Sequence, residues 1–399
     1  MSLSRRAFVQ SLVGGGAGAL SGAVIAARGR EALAAEFGAA SARPVIPAPP
    51  DLEEIRISSN ENPLGPGKVV VEALVGEFGQ TGRYPFNSRI ADSDLKESLA
   101  KTFHVGNDNV VLGAGSSEIL RNAVRAFVSA DRPLVTAEPS FENPVDTAKL
   151  LGYPVNAVPV DSKMSLDLDE MAKAARGAGL VFLCNPNNPT ATVHSAGAVA
   201  EFVARVRRDS PETAILIDEA YHDYVTDPSY QTAVALGMSH PKVFVSRTFS
   251  KAYGMAGLRV GYAIGQVETI NKLARLKLHY NVNVLGVAAA VESLKHPDHI
   301  AEESDRNTEV RKFTREFFTD AGFESTDSQT NFIFVNLGRP AKEFREACEK
   351  FKVKVGRDFP PFEKTHARIS IGTMDEMRRA TEVFRQVLGV PATNSQAGA

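Results

Sequence analysis

Cysteines, metal-type histidine pairs and a surplus of positive charge are what this chain has least of. Only two of its 399 residues are cysteine, Cys184 and Cys348, too few and too widely spaced for a disulfide framework or a four-ligand zinc site. Its eight histidines form no HExxH-type pair, which argues against a metal enzyme. With 45 Lys+Arg against 47 Asp+Glu the formal net charge is -2, without the basic excess of a nucleic-acid-binding surface. Tryptophan is absent, and the composition, 43% hydrophobic and 23% charged, excludes collagen-like, disordered and multi-span membrane chains. What remains is a chain long enough to bury a large core in two or three domain-sized units.

The N-terminus stands apart. Ser4-Arg5-Arg6-Ala7-Phe8-Val9 precedes an uncharged, Gly- and Ala-rich stretch from Leu12 to Ala27, which reads as a secretion signal. The paired arginines before Phe8 resemble the twin-arginine signal, and Ala32-Leu33-Ala34 supplies a small-x-small cleavage site. A short membrane anchor is the competing reading, disfavoured by Gly14, Gly15, Gly16, Gly18 and Gly22. Removal of residues 1–34 takes four arginines and one glutamate with it and leaves a net charge of about -5, still unsuited to nucleic acid. Residues 35–57 begin Ala- and Pro-rich and read as a linker or arm.

Further on, apolar runs alternate with helical patterns. Leu95, Leu99 and Phe103 recur every four residues behind the capping candidates Asp92 and Ser93, and Ile119, Ala123 and Phe127 do the same behind Ser116 and Ser117. Leu180–Leu183, Ala214–Ile217 and Val243–Val245 are short continuous apolar runs, the texture of strands covered by helices on both faces. Each ends in polar residues: Asn185 to Asn188, Asp218 to Tyr221, and Ser246 to Thr248. Ligands bind outside the carboxyl ends of strands in open α/β sheets, so these clusters predict one shared site. Beyond about residue 286 the strands are separated by charged helices, which predicts a smaller α+β domain at 286–391, with a tail at 392–399.

Several residues invite chemistry. Lys251 follows the third apolar run and is flanked by Thr248, Ser250 and Arg259, a recipe for a Schiff-base lysine beside a bound phosphate; a solvated Lys and Arg on a loop is the alternative. Asp218 ends a run expected to be buried, where a carboxylate needs a partner such as a protonated ring nitrogen, unless it caps a turn. Tyr221 suits a cofactor's phenolate oxygen or simple packing. Gly113-Ala114-Gly115-Ser116-Ser117-Glu118 opens a helix and offers N–H and hydroxyl donors to an anion, although many helices begin so without a ligand. It matches neither the dinucleotide fingerprint nor the P-loop. The Asn185 to Thr190 segment fits a plain turn or, through Asn188, a bond to a cofactor oxygen. Phe141 fits either core or a ring stack. Arg368 interrupts a late apolar run, as a carboxylate clamp or a structural ion pair would.

Together these segments resemble the class I/II, fold-type-I pyridoxal-phosphate aminotransferases, most closely the histidinol-phosphate aminotransferase branch. Eight motifs carry the likeness in order: Asn60-Glu61-Asn62-Pro63, Arg83-Tyr84-Pro85, Gly113 to Glu118, Asn187-Asn188-Pro189-Thr190, Asp218-Glu219-Ala220-Tyr221, Ser250-Lys251 through Arg259, Tyr280-Asn281-Val282-Asn283, and Arg368 to Thr373. The resemblance implies a large α/β domain at 58–285, with a mostly parallel seven-stranded sheet between helices, and a smaller C-terminal α+β domain. It implies pyridoxal 5'-phosphate carried on Lys251, which also shuttles the proton, with Asp218 on the pyridine nitrogen and Asn188 and Tyr221 on the phenolate oxygen. Phe141 would stack on the ring, and Gly115, Ser116, Ser117, Thr248, Ser250 and Arg259 would hold the phosphate. Tyr84 would reach over from a second subunit, which implies a homodimer. Substrate would meet Asn62, Arg357 and Arg368, with Arg368 on the carboxylate and Arg357 available to a phosphate.

Three positions depart from the family pattern: Ala191 stands where Gly is usual, Gly356 precedes Arg357 in place of an apolar residue, and His279-Tyr280 replaces Pro-Phe. An export signal also fits histidine biosynthesis poorly, because its phosphorylated intermediates belong in the cytosol. The expectation is therefore a periplasmic or secreted aminotransferase, exported folded with its cofactor by the twin-arginine machinery and acting on an amino acid or amine and a 2-oxo acid. The same cofactor site also supports lyase, decarboxylase or oxidase chemistry, and a non-catalytic cofactor-binding protein is the remaining reading.

Overall fold

A computed structural model describes residues 54–391; the expected signal at 1–34, most of the arm at 35–57 and the tail at 392–399 lie outside them. The apolar runs are strands, and their side chains divide by alternation. Val181 and Leu183 of β5 (Leu180–Cys184) and Ile215 and Ile217 of β6 (Ala214–Asp218) enter one buried cluster, while Leu180, Phe182, Ala214 and Leu216 enter another on the opposite face. A strand that buries both faces has no polar position to spare until it ends, which is why its first polar residues fall at the carboxyl edge.

These strands belong to a seven-stranded sheet with β2 (Val110–Ala114), β3 (Leu134–Glu138), β4 (Val155–Pro159), β7 (Val243–Thr248) and β8 (Val260–Gly265), in the order β2-β8-β7-β6-β5-β3-β4. β8 runs antiparallel to both of its neighbours, and the pairs from β7 through β4 are parallel. The helix Asp92–Phe103 lays Leu95 and Leu99 on one face of this sheet, and the helix Ser116–Phe127 lays Ile119, Ala123 and Val124 on the other. The expected caps Asp92 and Ser93 lie inside the first turn of their helix. The bond is made instead by Asp94, whose carboxylate accepts from the Ala91 N–H at 2.6 Å.

The expected boundary near residue 286 falls inside the helix Val284–Ser293, and the structure moves it. This helix is apolar nearly all round, and Val287, Ala289, Ala290 and Val291 are buried in the core of the large sheet. The small region starts instead with the helix Pro297–Asp320. It contains a three-stranded antiparallel sheet of β9 (Glu324–Ser325), β10 (Phe332–Asn336) and β12 (His366–Ser370), with its own core of Val310, Phe318, Ile333, Phe344, Ile369 and Phe384.

The arm expected up to residue 57 is also corrected at its end. Ile55–Ile57 is a strand, β1, paired in parallel with β11 (Val353–Val355), and Ile55 and Ile57 are buried in the core of the small region. The alternation of Ile55, Arg56 and Ile57 is too short to announce a strand alone; its partner lies almost 300 residues downstream. Because this strand leads directly into Ser58, Ile57→Ala is expected to lower the unfolding free energy by about 2–4 kcal/mol. Urea unfolding checks this, and a loss below about 1 kcal/mol would show that β1 is not anchored by that side chain.

Candidate active site

The carboxyl ends of β5, β6 and β7 stand side by side, with Cys184 opposite Asp218 and Asp218 opposite Ser246. Over them opens a cleft of about 500 Å³, lined among others by Ser116, Ser117, Phe141, Asn188, Asp218, Tyr221, Thr248, Ser250, Lys251, Arg259, Arg357 and Arg368. Nearly all the residues singled out from the sequence therefore meet in one place. Among the described residues, no group of three or more His, Cys, Asp or Glu is gathered as a metal ion would require.

Asp218 is 2% exposed and accepts a hydrogen bond from Ser246 Oγ at 2.7 Å. Burial pushes its carboxyl up to about 6, with the Ser246 bond acting in the opposite direction. Lys251 Nζ donates to the Ser59 carbonyl at 3.2 Å and lies 5.6 Å from the centre of the Tyr221 ring. Burial, followed by the charge of Arg368, brings its ammonium down to about 8, so that a reactive neutral amine is within reach at physiological pH. The Tyr221 hydroxyl accepts from Asn60 Nδ2 at 3.0 Å, and burial pushes its pKa upward, keeping it a hydrogen-bond donor.

At the other end, Thr248 Oγ1 donates to Ser250 Oγ at 2.9 Å, and Arg259 Nη1 donates to the same oxygen at 3.3 Å. Gly115 has φ +72°, and a Cβ there would fall 2.2 Å from Arg259 Nη2. A Cβ at Gly261 of β8 would fall 2.3 Å from the Ser116 N. The two glycines let the guanidinium and the strand approach the start of the helix Ser116–Phe127, whose first N–H groups have no partner within the helix.

Arg368 is 6% exposed. Its Nη1 donates to Asn188 Oδ1 and its Nη2 to the Ser58 carbonyl, each at 2.7 Å, while its buried Nε has no partner. A guanidinium held by neutral acceptors with one N–H unused fits a carboxylate ligand.

Not every residue expected at the site lines this cleft. Asn62 faces a separate cavity of about 330 Å³; its Nδ2 donates to the Ala252 carbonyl and its Oδ1 accepts from Leu64 N, both at 2.9 Å, which is a turn-holding role. Asn60, two residues earlier in the same motif, is the one that reaches the cleft. Tyr84, expected to reach over to a second subunit, is 63% exposed and stacks with Phe86 and Tyr280, away from the cleft of its own chain. Glu219 and Arg247, read with the polar strand ends, turn away and form a buried ion pair at 2.8 Å. Ser246 was within the sequence signal; Glu142 and Arg345, which also line the cleft, were not.

Two of the three departures from the family pattern sit at tight points of the backbone. Ala191 adopts φ +64° while fully buried, the backbone for which glycine is the easier residue. At Gly356 a Cβ would fall 2.5 Å from the Arg368 carbonyl oxygen, so a side chain there would push β12 away.

The aminotransferase class I and II family model matches residues 53–384. This chain belongs to that family. It is 34% identical to the histidinol-phosphate aminotransferase of Moorella thermoacetica over 361 residues, covering 87% of this chain and 90% of that one. It is 35% identical to the aromatic amino acid aminotransferase of Thermobifida fusca over 330 residues, covering 82% and 88%. Among solved structures, the histidinol-phosphate aminotransferase of Sinorhizobium meliloti, in complex with pyridoxal-5'-phosphate, superposes with a TM-score of 0.76 at 27% identity over 84% of this chain and 91% of that one.

Asp218 also makes stability depend on pH. Its folded pKa of about 6 lies above its ordinary 3.8, so the folded state holds the proton more tightly, and the resulting stabilisation, complete below pH 3.8, is lost as pH rises through 6. Asp218→Asn should therefore raise the unfolding free energy of the cofactor-free protein by about 2 kcal/mol at pH 7. The gain should shrink at pH 4.5, and cofactor affinity should fall. Urea unfolding at both pH values tests this; a variant no more stable than the parent at pH 7 would contradict it.

Proposed function

We propose that this aminotransferase moves the amino group of a carboxylate-bearing donor to a 2-oxo acid, working as a homodimer outside the cytoplasm. The observation that carries the reading is the placement of Lys251 between a buried carboxylate, Asp218, and an anion cradle at Arg259, with the unused Nε of Arg368 in the same cleft. The residues fit pyridoxal phosphate at both ends. Asp218 lacks the cationic partner that a protonated pyridine nitrogen provides, and Ser116, Ser117, Thr248, Ser250 and Arg259 suit its phosphate.

When bound, that cofactor supplies an electron sink for charge developing at the carbon bearing the amino group. The chain's residues do the rest. Asp218 would keep the ring nitrogen protonated, Asn188 and Tyr221 would offer donors to the phenolate oxygen, and Phe141 would cover the ring. Arg368 orients the donor by its carboxylate, and the neutral Nζ of Lys251 takes the proton from Cα and returns it on the other side of the transfer. An amino acid alone should discharge the lysine-linked visible absorbance in one stoichiometric turnover, a 2-oxo acid should restore it, and Lys251→Ala should lack it. Release of ammonia, carbon dioxide or peroxide in place of that exchange would overturn the reading.

Dimerisation is supported by an exposed apolar patch. Tyr84, Phe86 and Tyr280 are 63%, 47% and 51% exposed and pack on one another, an arrangement that a monomer rarely leaves to solvent. Export is supported by Arg5-Arg6 and Ala32-Leu33-Ala34. Native and denaturing mass measurements on the periplasmic and secreted fractions test both: the expected result is a dimer of chains cleaved after Ala34, retained in the cytoplasm when Arg5-Arg6 becomes Lys-Lys. A monomer, or export unaffected by the substitution, would refute the respective half.

A further inference from the structure

Besides Arg259 at the anion cradle, three guanidinium groups line the cleft, and their surroundings differ in charge. Arg368 donates to two neutral acceptors. The other two are matched by acids: Arg345 Nη2 donates to Asp358 Oδ2 at 3.4 Å, and Arg357 Nη2 donates to Glu142 Oε1. The Phe359 ring lies against both Arg357 and Arg368, 4.3 and 4.5 Å from their guanidinium carbons, so the two cations are fixed about one side chain.

Glu142 is out of character for its position. It stands at the N-cap of the helix Asn143–Leu150, where an acidic side chain ordinarily serves the helix's own N–H groups. Its carboxylate makes no cap bond and reaches across 215 residues of sequence to Arg357. It also directly follows Phe141, the residue expected over the cofactor ring, and so borders the place where a donor's side chain would lie.

We propose that Glu142 is a specificity-determining residue: by neutralising Arg357 it makes the distal end of the cleft select donors with uncharged side chains over anionic ones. This rests on the reading of the cleft as an amino-donor site. The Arg357–Glu142 pair is about half exposed on each side, so the bond itself contributes little to stability. Its effect lies in the charge. An anionic group arriving at Arg357 meets the Glu142 carboxylate at close range in a cleft that screens it less than bulk water, whereas an uncharged side chain feels no such repulsion. Arg345 does not replace the lost cation, because Asp358 holds it. Arg368, without an acid bound to it, keeps its attraction for the carboxylate common to all donors.

The test uses the holoenzyme and two unreactive probes of similar shape, succinate and its half-amide succinamate, with Kd read from the cofactor's visible absorbance. The parent should favour succinamate, and Glu142→Gln should shift the ratio of the two constants toward succinate by about ten-fold. The double variant Glu142→Gln with Arg357→Met should lose that shift, since it acts through Arg357. A ratio unchanged by Glu142→Gln, or a shift surviving in the double variant, would overturn the proposal. Amino-group transfer to the cofactor from a panel of amino acids, glutamate and glutamine among them, on the same samples separates the two readings. A shifted ratio without transfer from any amino acid would refute the aminotransfer reading alone, and normal transfer with an unshifted ratio would refute the role of Glu142 alone.

Discussion

A carboxylate with too little to balance it, Asp218, stands at the end of a strand buried on both faces, and the cleft is organised around that imbalance. The strand cannot end elsewhere. Its apolar residues fill cores on both sides of the sheet, so its first polar side chain is forced to the carboxyl edge, between β5 and β7. Ser246 relieves the charge only in part. Among the described residues Asp218 has no ion-pair partner, only the charge of Lys251 acting on it without a direct bond, and a ligand with a protonated ring nitrogen supplies the missing cation. Stability is held back at Asp218 so that binding can recover it.

The two ends of the cleft are built by different means. The anion end is mostly backbone: Gly115 and Gly261 clear space for Arg259 and for the start of the helix Ser116–Phe127, all within one sheet and its adjoining helix. Its shape is set by the large core and has little freedom to change. The donor end is assembled from side chains that start far apart, on β12, on the loop after β11, on the segment after β1 and on the loop before Asn143. Its charge is therefore adjusted residue by residue, and this is the end at which Glu142 stands.

How far the sequence foretold this follows the same division. Lys251, Asp218, Ser116, Ser117 and Arg259 were legible because each sits at a strand end or helix start that local patterning announces. Asn62 is expected at the substrate, whereas the cleft is lined by Asn60. Asn62 shares its motif with Asn60, and which of two near-neighbour asparagines faces the cleft depends on the left-handed backbone at Asn60, φ 55°, which composition does not reveal. Glu142 and Arg345 were invisible because their meaning lies in pairing, and the partner of Glu142 is 215 residues away. β1 was read as arm because three residues show no period until the strand they join is known.

The segment after β1 joins the two ends. β1 is paired to β11, which leads through Gly356 to Arg357, and Gly356 N in turn donates to the Arg368 carbonyl at 3.0 Å. Three consecutive residues then touch the chemistry: the Ser58 carbonyl accepts from Arg368, the Ser59 carbonyl accepts from Lys251, and Asn60 donates to the Tyr221 hydroxyl while accepting from Ser370 Oγ at 2.8 Å. Both arginines and the residues bonded to Lys251 and Tyr221 are thus tied to the strands of the small region, whereas Asp218 and Arg259 belong to the large sheet. Arg368 and Lys251 thus share one short backbone segment, in which the neighbouring carbonyls of Ser58 and Ser59 fix the two side chains relative to each other.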